Sequence, residues 1–151
     1  MRDIGAEIAV LKTYVKRKKV NKETKTYQLK LIRKLRNKAL RLWKERVKER
    51  AGGRCEFCGA SERIQAAHIE CYLLNPFLRF DIRNGASLCE RHHKWGRDSF
   101  HNSFVFAYIF MVENRMDDLL YLIDAVKKYK DMSKDLITKE YLEGEIKELQ
   151  R

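Results

Sequence analysis

Apolar residues recur at helical spacing over much of the chain. Ile4, Ile8, Leu11 and Val15 predict a short first helix, and the charged run that begins at Lys16-Arg17-Lys18-Lys19 and ends at Lys25 reads as its connection to the next element. Over residues 27–50 a single stripe of Ile32, Leu35, Ala39, Leu42, Trp43 and Val47 predicts a long helix with one core-facing side. The stripe covers too few heptads for a coiled coil, so core packing is the expected use. Gly52-Gly53 ends the helix. Residues 54–67 are expected to form a turn with two short strands around Cys55-Glu56-Phe57-Cys58-Gly59, with Ile64-Gln65-Ala66-Ala67 strand-like; Asn75-Pro76 marks a loop and Asn84-Gly85 a tight turn. A helix is expected to begin near Cys89. Phe104, Tyr108, Met111 and Val112 predict another, as do Met116, Leu119, Leu120, Ile123 and Val126. Leu142, Ile146 and Leu149 predict a last helix over residues 138–150. The reading is α+β: a small unit over residues 51–103, between a helical extension at 1–50 and a helical region at 104–151.

Charge sharpens this division. Residues 1–54 hold 19 lysines and arginines against 5 acids, residues 55–103 hold 6 of each, and residues 104–151 hold 8 against 10. The net +12 is therefore carried by the N-terminal arm. Such a one-sided excess suits a polyanion, because each cation placed on a phosphate releases condensed counterions. On the long helix, Arg33, Lys34, Lys38 and Arg41 lie off the apolar stripe and are the expected phosphate contacts. A merely solvated face is the plainer alternative. An apolar and aromatic share of this size excludes a disordered tail. No apolar run is long enough to span a bilayer and the N-terminus lacks a secretory pattern, so a cytoplasmic protein with no membrane partner is expected.

Chemistry concentrates between Cys55 and His93. Cys55-x-x-Cys58 and Cys89-x-x-His92 are two knuckles about 30 residues apart, a spacing that lets four side chains converge on one tetrahedral ion. Structural Zn²⁺ is the expected occupant. Disulfides are disfavoured without a secretory signal, and a redox role for the first pair lacks the βαβ setting. Cys71 fits neither knuckle and is expected to be a buried free thiol. His68, His93 and His101 remain. His93 follows His92 on a helix and so points about 100° away from it, free to serve a second site.

These motifs resemble the HNH endonucleases, the zinc-knuckle branch of the ββα-metal nucleases. The resemblance rests on Leu42-Trp43-Lys44-Glu45-Arg46-Val47, Arg54-Cys55-Glu56-Phe57-Cys58-Gly59, Gln65-Ala66-Ala67-His68-Ile69, Leu78-Arg79-Phe80-Asp81, Asn84-Gly85 and Leu88-Cys89-Glu90-Arg91-His92-His93. Ser99-Phe100-His101-Asn102 and the aromatic helix after it look like phage-type members, and the likeness covers roughly residues 42–112. It implies a small ββα-metal unit stapled by zinc and a metal-dependent cleavage of DNA phosphodiester bonds. By the same likeness His68 is the general base, Asn84 holds the loop between the strands and orients His68, and His93 binds the catalytic divalent ion, Mg²⁺, Mn²⁺ or another.

Two departures stand out. His92 takes a zinc position where cysteine is commoner. Ala67 takes one where many members carry an acidic or histidine ligand, and a methyl group coordinates nothing. His101, Asp98 or Glu70, the last on the strand face of His68, could supply the missing ligand, with His101 preferred. The alternative function is a zinc-stapled DNA-binding module with a weakened catalytic centre. A zinc-ribbon structural protein is a third.

Overall fold

A computed structural model describes the backbone of residues 4–71 and 73–151, and the side chains of the same residues from 24 onward. The first element is one unbroken helix, α1, Ile4–Arg50. The expected connection near residues 16–25 is therefore helical. Between Gly5 and Gly52 the chain has neither glycine nor proline, so nothing interrupts the backbone ladder. The side chains of Ile4, Ile8, Leu11 and Val15 lie outside the described residues.

The small sheet comes next. Strand β1, Ile64–His68, pairs antiparallel with β2, Gly85–Cys89, with His68 opposite Gly85 and Ile64 opposite Cys89. A single π-helical turn, Arg91–Trp95, follows β2 directly. Helices α2, Phe104–Asn114, and α3, Met116–Tyr129, come next, and α4, Lys139–Leu149, ends the fold. Ser103 caps α2 by accepting a hydrogen bond from the Phe106 N–H, and Thr138 caps α4 through the Tyr141 N–H.

One strand lies in its expected place, β1 at the end of the 54–67 segment, but no strand flanks the cysteine turn itself. The Cys55 knuckle is a turn, closed by Gly59 N–H to Cys55 O at 2.8 Å and Cys55 N–H to Ala60 O at 2.8 Å. Gly59 takes φ +74°, a conformation that costs a side chain-free residue nothing. Asn84-Gly85 is not a tight turn either. Asn84 ends a 3₁₀ turn, Ile82–Asn84, and Gly85 begins β2 with an extended φ of −114°. The glycine is required by proximity: a Cβ there would lie 2.3 Å from Val47 Cγ2 and 2.9 Å from Trp43 Cζ2.

Two clusters form the core. One gathers Ala67, Leu78, Ala86, Leu88, Phe110, Met111, Leu122 and Ala125 between the hairpin and α2–α3. The other packs Ala39, Trp43 and Val47 of α1 against Leu142, Ile146 and Leu149 of α4, with Phe80 between them. The predicted α1 stripe is thus core, and its main partner is the last helix of the chain. Ion pairs tie the halves together. Arg50 donates to Ile82 O and Gly85 O, both at 2.7 Å, and to Glu56 at 2.9 Å. From the other side Arg115, its side chain 9% exposed, donates to Gly85 O at 2.6 Å and pairs with Asp118 and Glu56.

Candidate metal centre and histidine site

The two knuckles meet. The ligand atoms of Cys55, Cys58, Cys89 and His92 all lie within 4.8 Å of one another. Cys58 Sγ is 3.8 Å from Cys89 Sγ, and His92 Nδ1 is 3.6 Å from Cys55 Sγ and 3.2 Å from Cys89 Sγ. A tetrahedral ion about 2.3 Å from sulfur and about 2.0–2.1 Å from nitrogen implies edges of about 3.8 Å between sulfurs and about 3.6 Å between sulfur and nitrogen. The donors fit that requirement. Three of the four are buried; Cys58 is exposed.

The turn also tunes the thiols. Burial pushes the Cys55 thiol up, but backbone hydrogen bonds from Cys89, Cys58 and Phe57 outweigh it and hold the group below its ordinary value. Glu56 N–H donates to Ser87 O at 2.8 Å, and its carboxylate accepts from Ser87 N–H, so the knuckle is laced to β2. Phe57 packs on the His92 ring, centroids 4.6 Å apart. Cys71 lies outside the cluster. It is exposed rather than buried, and its carbonyl accepts from the N–H groups of both Leu74 and Asn75.

His68 ends β1. Its ring stacks on Trp43 at 4.0 Å and 8°, and Nε2 lies 2.9 Å from Arg79 O. Burial, together with the charges of Arg79 and Lys44, lowers its pKa below the ordinary histidine value. The ring is therefore neutral near pH 7. A carbonyl only accepts, so Nε2 carries the proton and Nδ1 is left as the basic nitrogen.

Asn84 is fully buried and clamps the loop between the strands. Its amide nitrogen donates to Leu78 O at 2.9 Å and Glu70 O at 3.2 Å, while its oxygen accepts from Glu70 N–H at 2.6 Å. It thereby fixes Leu78, next to the carbonyl that holds His68.

His93 is buried with Nδ1 2.7 Å from Gln65 Oε1; a donor at Nδ1 makes Nε2 the nitrogen that carries a lone pair. Burial first, then the neighbouring His101, Lys94 and His68, lowers its pKa to about 4. The exposed His101 ring stands edge-on to His93, centroids 4.8 Å apart.

The three candidates for the missing ligand separate here. His101 touches His93. Glu70 lies beyond the end of β1, not on its face, and its carboxylate accepts from Asn75 at 2.7 Å. Asp98 is exposed and acts on His92. Ala67 itself is 2% exposed, packed in the hairpin core.

Arg33, Lys34, Lys38 and Arg41 are all exposed along α1 and form no ion pair with another described residue. No described helix is long and apolar enough to cross a membrane. Sequence reasoning missed the supports of the site: the Trp43 stack, the Gln65 bond and the Arg50–Glu56–Arg115 brace. Apart from Arg50–Glu56 these contacts span 25 or more residues, so although Trp43, Glu56 and Gln65 lie within the motif segments, their partners were not legible there. The chain matches no family model, no curated protein and no solved structure.

Proposed function

We propose that the chain is a metal-dependent DNA endonuclease of the HNH type, stapled by Zn²⁺ at Cys55, Cys58, Cys89 and His92. One observation carries the reading: a two-stranded hairpin followed by a helical turn holds His68 opposite Gly85, Asn84 one residue before it, and His93 bonded back to Gln65 of β1.

Each side chain then has a task its environment favours. His68, neutral and held between Trp43 and Arg79 O, accepts a proton from water at Nδ1 as the water attacks the phosphorus; one P–O ester bond breaks and the departing oxygen takes a proton from solvent. Asn84 is a positioning residue, since it acts through the loop that carries the Arg79 carbonyl. His93 offers Nε2 to a divalent ion, with Gln65 fixing the tautomer. His101 is the neighbouring second nitrogen donor. A divalent ion on the scissile phosphate supplies stabilisation of the charge that develops there. Two imidazoles without a carboxylate suit Mn²⁺ or another nitrogen-tolerant transition ion better than Mg²⁺. The exposed cations Arg33, Lys34, Lys38 and Arg41 along α1 position the DNA by its phosphates.

A second reading is favoured by Ala67. Its buried methyl offers no ligand, so a DNA-binding module with a weakened centre fits the same scaffold. Plasmid nicking with Mn²⁺, Mg²⁺ and EDTA separates the two. The nuclease reading predicts divalent-dependent relaxation of supercoiled DNA. Salt-sensitive DNA retention without any cleavage would favour the second reading.

A further inference from the structure

A cavity of about 680 Å³ opens between the segment 77–83, α3 and α4. Its lining is unlike the rest of this basic chain. Phe77, Tyr129 and Tyr141 supply aromatic walls: Phe77 meets Tyr141 at 5.8 Å and 83°, and Tyr129 at 5.6 Å and 35°. Rings set at such angles form a corner whose π faces attract a cation.

The carboxylates lining it have unequal partners. Asp81 accepts from the Tyr121 hydroxyl at 2.5 Å and from Arg83 N–H at 2.8 Å. Glu148 pairs with Arg151 at 2.8 Å. Arg83, the cation of the lining, is spent on the Tyr121 ring at 4.5 Å and on Asp118 at 3.9 Å. Glu145, half-buried beside Tyr141, has no ion pair with any described residue. Burial, and the neighbouring charges of Asp81 and Glu148, raise its pKa against the hydrogen bond from Tyr141. A carboxylate so placed gains most from a cation brought in from outside.

We propose that this cavity binds an organic cation, a guanidinium or alkylammonium group, with Glu145 as its counter-ion and Phe77, Tyr129 and Tyr141 as its aromatic walls. The group belongs either to an arginine or lysine side chain of a partner protein or to a free polyamine. The proposal stands independently of nuclease activity.

Calorimetric titration of the full chain, freed of nucleic acid, tests it. The probes are N-acetyl-arginine amide, N-acetyl-lysine amide and spermidine, with N-acetyl-norleucine amide as the uncharged control. Saturable one-to-one binding of a cationic probe is expected, with none for the control. Glu145→Gln should weaken it about tenfold or more, and Tyr129→Leu by a similar factor, with unchanged melting temperatures. Preference for the amino-acid amides identifies a protein side chain as the source, and preference for spermidine a polyamine. If no cation binds, or if affinity is unchanged in a folded Glu145→Gln protein, the proposal is wrong.

Discussion

Around Cys55, Cys58, Cys89 and His92 four ligand atoms lie within 4.8 Å of one another. Around His68, His93 and His101 the contacts run in pairs: Trp43 and Arg79 O hold His68, Gln65 holds His93, and His101 stands edge-on to His93. Both regions belong to the same hairpin and turn. The first is organised by short spacings in the chain, two residues inside each knuckle. The second is organised by long-range packing, and its members are oriented before any ion or substrate arrives. A cluster of the first kind would be held together by a bound ion, whereas the second depends on the surrounding core. Stability should therefore follow the knuckles and α1, and chemistry should follow the histidines.

The largest break in that contrast comes at the knuckles. Cys55→Ser or Cys89→Ser should lose stoichiometric zinc and much of the thermal stability, because metal binding is folding energy in so small a unit. Elemental analysis and melting curves on the same preparations check this. Cys71→Ser, outside the cluster and exposed, should change neither.

Next comes the aromatic support of His68. Trp43 is fully buried and stacks on the imidazole, so Trp43→Ala should cost about 3–5 kcal/mol in denaturant unfolding while the zinc content stays at one equivalent. Zinc lost together with Trp43 would mean the two regions are not separately held. A smaller cost is expected at Gly85→Ala. The added methyl meets Val47 and Trp43, and overpacking of this kind typically costs about 1–3 kcal/mol.

The smallest effects concern charge. Neutralising Arg33, Lys34, Lys38 and Arg41 together should leave melting unchanged and weaken DNA binding at every sequence. Each lost phosphate contact should flatten the slope of log affinity against log salt by about 0.9. An unchanged slope would show that this face of α1 is only solvated. For His68 the sign of the pH effect follows from its lowered pKa. The ring is neutral above that value, so cleavage should be flat through pH 7–8 and fall only in acid, below the ordinary histidine range near 6.5. A rate still climbing between pH 7 and 8 would exclude His68 as the titrating base.

Helices α1 and α4 were legible because Trp43 and Val47, and Leu142 and Ile146, repeat at a helical period, which a buried face imposes on any sequence. In α2 and α3 the helix was legible but not its face, since Phe104, Tyr108, Met116, Leu120 and Ile123 are exposed and Phe110 and Leu122 are buried instead. The metal cluster was legible because its spacings are local. What could not be read depended on partners distant in the chain. Gly85 looks like a turn residue until Val47 is placed against it, and Cys71 looks like a buried thiol yet is exposed. The basic stretch at 16–25 looked like a connection, yet long polar side chains favour helix as readily as they favour solvent. Trp43 announced itself as core but not as the plate beneath His68, since stacking depends on where β1 ends relative to α1.

The most direct test of the central claim is single-turnover cleavage of supercoiled plasmid by zinc-loaded wild-type and His68→Ala proteins in Mn²⁺, with unfolding temperature and DNA affinity measured on the same samples. Wild type should relax the plasmid and stop in EDTA. His68→Ala should keep its zinc and bind DNA normally, yet cut about 10²–10⁴ times more slowly, the range expected for loss of a general base. Cleavage at the wild-type rate by a folded His68→Ala protein would contradict the account.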